Sequence, residues 1–437
     1  MTMVATKRLR SGILLLASAA TMAFVATFAV LTLVNSGSGP APERQLDGAV
    51  PARTTDGQIK QLQAQVREAP KQAGLWAELG ETYLQKVRET GDASFYTRAD
   101  GVLQRALALE PQGLEGLVGA GTLALARHDF SGGLRYGLAA HRVAPRLARP
   151  LGVIVDAQVE LGRYGDAART LQRMVDLQPD LASYARISYF RELHGDLGGA
   201  LYAMRLAVSA GGGAPENVAY VQTLLGNLLF ERGSLRAARA AYEQAIARFP
   251  NYVPAGAGLA KVDAADGRFE SAIRRLRNAV ARLPLPEYVV ALGETEQAAG
   301  RATDARRDLA LVGAEEKLLR ASGVNTDVDL ALFEANHGSP ARAVTLARRA
   351  WTQAPSVRSA DALGWALTRS GHPAAGLRWA KRALRLGSVD PTFLYHAGMT
   401  ARAAGRTSLA RAWLRKSVAN NPRFSPLYAP RAQAALR

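Results

Sequence analysis

Three pairs of adjacent basic residues recur at nearly constant spacing near the C-terminus. The pairs are Arg348 with Arg349, Lys381 with Arg382, and Arg415 with Lys416. Guanidinium and ammonium groups bind carboxylate and phosphate oxygens, so the chemistry that these residues offer is recognition of an anion. We call the six residues the basic ladder.

The net charge of the chain is concentrated at its two ends. The 437 residues carry a formal net charge of +18. Residues 339–437 hold 17 basic residues and only two acids, Asp361 and Asp390, while residues 1–34 hold three basic residues and no acid. Such asymmetry favours an anionic partner at the C-terminal end. The alternative is an arginine-rich composition that places these charges on solvated helix faces.

The sequence contains no recognisable catalytic constellation. Cysteine is absent, which excludes disulfides, thiol catalysis and cysteine-ligated metal sites. No pair of histidines has the spacing of metal ligands, and the glycines of "GLVGAGTLALA" follow no predicted strand, as a phosphate-binding loop would require. We therefore expect no enzyme activity, no cofactor and no metal.

A regular spacing of prolines organises most of the chain. Pro111, Pro145 and Pro179 are equally spaced, and the same interval separates Pro250 from Pro284. Proline cannot continue a helix, whereas glycine permits the tight turn between two helices. The period therefore predicts a helix–turn–helix unit. A glycine lies about halfway between the expected proline positions, at Gly162, Gly195, Gly233, Gly267, Gly300, Gly338, Gly371 and Gly405.

Each unit also carries small residues around a large one on its second helix. In "GSLRAARAAYEQAIARFP", Ala238, Tyr242 and Ala245 fall on one helical face. The period of about 34 residues and this Gly/Ala/Ala/Pro pattern resemble the tetratricopeptide repeat, in its membrane-anchored bacterial type. The resemblance implies an all-α fold, a right-handed α-solenoid of about ten repeats over residues 73–422. Capping helices are expected at 57–72 and 423–437.

The N-terminus predicts a membrane anchor. The stretch from Gly12 to Val34 contains no charged residue, and it exceeds the roughly 20 apolar residues that a transmembrane helix needs to span a bilayer. Lys7, Arg8 and Arg10 precede it, so the basic N-terminus, residues 1–11, should remain cytoplasmic. Residues 35–56 should form a flexible linker, and the repeats should then lie on the extracytoplasmic side of the cell membrane. The alternative is a signal peptide that is cleaved to leave a secreted protein.

The resemblance also implies a concave groove lined by the first helix of each repeat. Two exposed positions of that helix, six and three residues before the turn glycine, supply candidate binding residues. A groove of aromatic, amide and charged groups suits an extended or helical peptide, and ordinary solvated surface is the alternative. The candidates are Tyr189, Glu192, Asn227, Phe230, Lys261, Glu294 and Trp365.

The expected function combines these features. We expect a non-catalytic, membrane-anchored scaffold or adaptor that binds proteins or peptides. The basic ladder directly precedes the small residues of its second helices and should therefore point outward. It could contact an anionic polymer, an anionic lipid surface or an acidic protein, whereas no motif supports nucleic acid. The alternatives are a secreted or envelope protein that acts through the ladder, and a helical accessory subunit of an enzyme or envelope-assembly complex.

Overall fold

The computed structural model describes residues 54–437 except Gly213 and Ser388, and these residues form an all-α solenoid. The structure confirms the all-α helical solenoid of the predicted fold class. Ten consecutive helical hairpins make up most of it. Their helices are α2 (Ala73–Thr90) and α3 (Ser94–Leu109), α4 (Leu114–Ala126) and α5 (Phe130–Val143), α6 (Ala148–Glu160) and α7 (Tyr164–Leu177), α8 (Leu181–Leu193) and α9 (Leu197–Ala210), α10 (Pro215–Glu231) and α11 (Leu235–Arg248), α12 (Val253–Ala265) and α13 (Phe269–Arg282), α14 (Pro286–Ala298) and α15 (Ala302–Leu309), α17 (Asp327–His337) and α18 (Pro340–Gln353), α19 (Val357–Arg369) and α20 (Pro373–Ala383), and α21 (Pro391–Ala403) and α22 (Thr407–Asn420).

Three further α-helices and one 3-10 helix of the described residues lie outside the hairpins. Helix α1 (Thr55–Glu68) precedes the first hairpin, and α23 (Tyr428–Leu436) follows the last. Helix α16 (Val312–Ala321) is an insertion between the hairpins α14–α15 and α17–α18, and a short 3-10 helix, Leu384–Leu386, follows α20. None of the helices in the described part of the chain has the length and apolarity needed to cross a membrane. The predicted span, Gly12 to Val34, lies outside the described residues.

Close packing of large on small residues holds neighbouring hairpins together. The fully buried ring of Tyr242 lies against Gly226 of its own hairpin and Gly258 of the next, so that a Cβ atom at either glycine would overlap the ring. Ala238 and Ala245 are also fully buried. These small residues let the helices approach closely, as the sequence pattern indicated.

Glycine shapes most of the turns inside the hairpins. Seven of the eight predicted turn glycines adopt φ between 68° and 86°, a left-handed conformation that L-residues rarely adopt. Gly338 is the exception, with φ at −126°. Its turn is stabilised instead by the Glu334 carboxylate, which accepts a hydrogen bond from the Ser339 amide at 2.7 Å.

The solenoid coils so tightly that successive turns of the coil touch. The Tyr164 hydroxyl accepts a hydrogen bond from the buried amide of Val357 at 2.9 Å, across 193 residues of sequence. The Asn421 side-chain amide likewise donates to the carbonyl of Phe230 at 2.7 Å, across 191 residues. A separation of this size corresponds to five to six repeats, so the second half of the solenoid packs on the first.

Helix α16 contributes to the same closure. The chain that leaves it runs against the turn between α4 and α5, where the Arg127 side chain donates to the carbonyl of Ser322 at 2.9 Å. The Asn325 amide donates to the carbonyl of Arg127 at 3.0 Å. The insertion therefore bridges two turns of the coil.

Apolar contacts reinforce these bonds. One hydrophobic cluster contains Val155 and Tyr164 from the first half of the solenoid together with Val357 and Phe393 from the second. In an extended solenoid each repeat contacts only its neighbours, and unfolding proceeds locally. That picture does not hold here, because the cross-coil contacts couple repeats that are distant in sequence.

The packing around Tyr242 predicts the effect of two glycine substitutions on α12. We expect Gly258→Ala to destabilise the protein by about 1–3 kcal/mol, since the added methyl overlaps a ring that has no free space. Gly256→Ala is the matched control, because a Cβ atom there meets nothing within 4 Å. Alanine should be neutral or stabilising by up to about 1 kcal/mol at that position. Urea unfolding measures both changes, and equal stabilities would contradict the packing.

The coil closure predicts a second pair of outcomes. Gly162 and Gly267 both adopt a left-handed conformation, so alanine introduces similar backbone strain at either site. Only at Gly162 would the new Cβ also overlap the carbonyl oxygen of Pro355 across the coil. We expect Gly162→Ala to cost about 1–3 kcal/mol more than Gly267→Ala in thermal or urea unfolding. Similar costs would mean that successive turns are not in contact.

Candidate functional site

The interior of the coil contains a cavity of about 390 Å³. First helices of the hairpins, including α8, α10, α12, α14 and α17, supply much of its lining, and α16 and the segment from Arg423 to Tyr428 complete it. Ligand sites in proteins commonly have volumes of about 300–1,000 Å³. The cavity is therefore large enough for a few amino-acid side chains or a small ligand.

Most of the predicted groove residues line this cavity. Trp365 does not. Its side chain is 5% exposed and stacks on His396 with the ring centres 4.5 Å apart, and its Nε1 donates to Asn336 at 2.9 Å. The aromatic ring of Tyr395 on α21 also packs beside it, so the next hairpin covers this position. The six residues that line the cavity are Tyr189, Glu192, Asn227, Phe230, Lys261 and Glu294.

Three of these six already bind other side chains. The bonds run from Tyr189 Oη to Glu160 at 3.1 Å, from Tyr242 Oη to Asn227 at 2.8 Å, and from Tyr428 Oη to Glu294 at 2.6 Å. Their partners fix their positions, so they shape the cavity wall. Within the described residues, the side chains of Glu192 and Lys261 form no hydrogen bond, and that of Phe230 offers only apolar surface. These three have side chains available to a ligand.

Sequence reasoning missed a third register of the first helices. It lies at the N-terminal end of each helix, two helical turns before the predicted positions. The repeat period contains this signal, but the two predicted registers covered only the later part of the helix. The residues at this register that line the cavity are Pro254, Glu287, Arg358 and Thr392.

Acidic groups outnumber basic ones in the lining, as far as the chain is described. Six carboxylates and four cationic side chains face the cavity. The carboxylates belong to Glu192, Glu231, Glu287, Glu294, Glu316 and Asp329, and the cations to Arg88, Lys261, Arg358 and Arg423. The interior thus differs in charge from the basic outer surface near the C-terminus.

Burial shifts the protonation of these groups. Burial, with the nearby Asp329 carboxylate, raises the pKa of Glu287 to about 7, although Lys261 opposes the shift. The pKa of Glu192 is raised well above its usual value by burial and by the neighbouring Glu231 carboxylate. Burial also lowers the pKa of Lys261. The raised carboxyl pKa values show that burial in the cavity favours the neutral, protonated forms of Glu192 and Glu287.

The basic ladder lies elsewhere. All six side chains are exposed and none lines the cavity. Arg349 forms a bidentate ion pair with Asp327, whose side chain is buried. Arg382 lies over the ring of Trp351 at 4.5 Å. The other four form no ion pair or side-chain hydrogen bond with the described residues: Arg348, Lys381, Arg415 and Lys416.

One buried pair of titratable groups lies outside the cavity. His396 Nδ1 lies 2.8 Å from a carboxylate oxygen of Asp361, and both side chains are almost fully buried beneath Trp365. In the described part of the chain, no three histidine, aspartate or glutamate side chains are placed to hold a metal ion. The His396–Asp361 pair therefore ties α21 to α19.

Profiles of the tetratricopeptide repeat match three segments of the sequence, residues 153–215, 229–293 and 362–423. All three segments lie within the solenoid. These three segments are tetratricopeptide repeats. A search of curated protein sequences finds no significant match.

Solved structures share the architecture at low sequence identity. The human IFIT1 dimer with PPP-AAAA is 15% identical, with a TM-score of 0.46, and the match covers 84% of this chain and 91% of that one. The Cut9–Hcn1 hetero-tetramer of APC/C is 17% identical over 88% and 84% of the two chains, with a TM-score of 0.38. TTC0263, a tetratricopeptide-repeat protein of Thermus thermophilus, is 20% identical over 46% of this chain and 99% of its own, also at 0.38. At these sequence identities and TM-scores, the similarities carry no information about ligands.

The raised pKa of Glu287 predicts that the difference in stability between wild type and Glu287→Gln depends on pH. The folded-state pKa is above the usual 4.5, so the stabilising effect of the neutral acid is complete below pH 4.5 and is lost as the pH rises through about 7. The Glu287→Gln variant has no carboxyl group to ionise at this position, so it does not lose this stability as the pH rises. Its stability relative to wild type should therefore grow between these pH values, by at most about 3 kcal/mol.

The measurement is urea unfolding of both proteins from pH 4.5 to 8. Glu68→Gln, at an exposed carboxylate outside the cavity, provides the control and should track wild type at each pH. A stability difference that does not change with pH would contradict the burial of Glu287.

Proposed function

We propose that this protein is a non-catalytic scaffold that binds a segment of a partner protein inside its coil. Tetratricopeptide repeats generally bind proteins, which supports the class of function. The cavity supports the location. Its volume of about 390 Å³ suits a short segment of a few residues rather than a folded domain.

The excess of carboxylates over cations in the cavity lining carries the choice of ligand. A lysine or arginine side chain entering the cavity would supply the positive charge that Glu192 and Glu287 lack, and its binding would favour their ionised forms. The ring of Phe230 offers an apolar surface for the aliphatic part of such a side chain. A basic peptide segment is therefore the partner that this interior fits.

Photo-crosslinking inside cells tests the proposal. A benzoylphenylalanine at Phe230 faces the cavity, whereas one at Tyr202, which is 64% exposed, faces solvent. We expect the interior probe to crosslink a partner at a peptide that contains lysine or arginine, and the Tyr202 probe not to capture that peptide. Adding Glu192→Gln and Glu287→Gln should lower the interior yield by about tenfold, since each removes a charge-assisted contact.

Three results would contradict the proposal. The first is capture of the same peptide by the Tyr202 probe. The second is a crosslinked peptide without a basic residue. The third is a crosslinking yield of the Phe230 probe that stays the same when Glu192→Gln and Glu287→Gln are added. This result counts only if the protein retains the wild-type circular dichroism spectrum with and without these two substitutions.

We further propose that the N-terminal segment anchors the protein, with the repeats on the extracytoplasmic side. The uncharged stretch Gly12 to Val34 and the preceding Lys7, Arg8 and Arg10 support this placement. A reporter that is active only in the cytoplasm, fused after Arg437, should be silent, and the same reporter before the stretch should be active. Strong activity of the C-terminal fusion would contradict the orientation, and loss of residues 12–34 from the purified protein would indicate a cleaved signal instead.

A further inference from the structure

The outer surface formed by residues 339–437 presents only positive charge among the described residues. The two acids of this stretch are both buried. Asp361, with 3% exposure, binds His396, and Asp390, with 1% exposure, accepts a hydrogen bond from the Phe393 amide at the start of α21. The local positive field is therefore not offset by any exposed acid of the same stretch.

Four cations of the basic ladder are available to an external anion. Arg348 lies on α18, Lys381 on α20, and Arg415 and Lys416 on α22. All are exposed and none is engaged by the described residues. They occupy equivalent places in three consecutive hairpins, so they form an extended array rather than one pocket. Such an array matches a surface that carries many anions.

Tryptophans on the same three helices pack against the core and leave only part of each indole ring exposed. Trp379 and Trp413 occupy equivalent places on α20 and α22, one repeat apart, and both are partly exposed. Trp351 on α18 packs edge-on against Trp379 with their ring centres 4.7 Å apart, and Arg382 covers it. Tryptophan and arginine together are enriched where a protein meets the headgroup region of a bilayer.

We propose that this face, which α18, α20 and α22 form within residues 339–437, docks on a membrane surface rich in anionic phospholipid. Clusters of lysine and arginine bind such surfaces through summed electrostatic attraction, and the half-buried indole rings suit the interface more than they suit an acidic protein or polymer. This inference goes beyond the proposed interior binding. It does not need the anchor, although a tether at residues 12–34 would keep the face close to lipid.

The absence of cysteine allows a specific test on the full chain. A single cysteine at Ala412, an exposed residue between Arg411 and Trp413, carries a fluorophore, and Ser131 on α5 carries the control label. The labelled protein is reconstituted in vesicles of phosphatidylcholine alone or with 30 mol% phosphatidylglycerol. A lipid-borne quencher reports contact between label and bilayer, and flotation reports separately whether the chain is anchored.

We expect quenching of the Ala412 label in phosphatidylglycerol vesicles at low salt. It should be largely lost in phosphatidylcholine or at high salt, because salt screens surface charge. The quadruple variant Arg348→Gln, Lys381→Gln, Arg415→Gln and Lys416→Gln should lose the quenching. A matched variant at four exposed, unpaired cations outside the face, Lys60→Gln, Lys71→Gln, Arg105→Gln and Arg135→Gln, should retain it.

Three results would overturn the inference. One is an unquenched Ala412 label in vesicles that float with the protein, which would leave the anchor standing and remove the lipid contact. Another is a label that responds to soluble polyglutamate but not to phosphatidylglycerol, which would assign the face to an acidic polypeptide. Equal loss of quenching in both quadruple variants would show a general charge effect and would likewise contradict the role of this face.

Discussion

The contact between successive turns of the coil is the constraint on which the rest of the structure depends. At its centre the Tyr164 hydroxyl binds the Val357 amide, while Arg385 lies over the same tyrosine ring at 5.3 Å. An unpaired buried amide would cost roughly 1–3 kcal/mol, so this bond fixes how the two halves of the solenoid meet. The bond requires a turn at Gly162 without a side chain, since Pro355 lies directly against it. Closure also couples repeats that would otherwise contact only their neighbours, so that the solenoid unfolds as one cooperative unit.

The same closure explains the chemistry of the interior. In an open solenoid the first helices would face water, and Glu192 and Glu287 would be hydrated. Here the second half of the coil covers them, and their pKa values rise because burial disfavours the charged form. The protein thus keeps ionisable groups in a confined space, where burial favours their neutral forms. A ligand with positive charge would favour the ionised carboxylates, whereas the solvent-facing cations near the C-terminus are available to a different, external anion.

Periodicity predicts local features well and long-range ones poorly. The spacing of prolines and glycines is sufficient to predict the hairpins, and the turn glycines place most groove residues, because both depend on contacts within one or two repeats. The closure depends on residues such as Tyr164 and Val357, which are 193 positions apart and carry no shared motif. For the same reason the sequence analysis did not predict helix α16. It also indicated an available cation at Arg349, whose side chain binds the buried Asp327. Trp365 occupies the correct register, but α21 covers it.

Hydrogen exchange of the full chain measures the closure most directly. Tyr164→Phe removes only the hydroxyl that accepts from Val357, and Tyr202→Phe, at an exposed tyrosine, is the matched control. If successive turns are held together as described, Tyr164→Phe should speed exchange of backbone amides around Val357 and also around Arg127 and Asn325, where the coil closes through separate bonds. Tyr202→Phe should change neither region. Exchange that quickens only beside residue 164, or not at all, would contradict the account and leave an open solenoid.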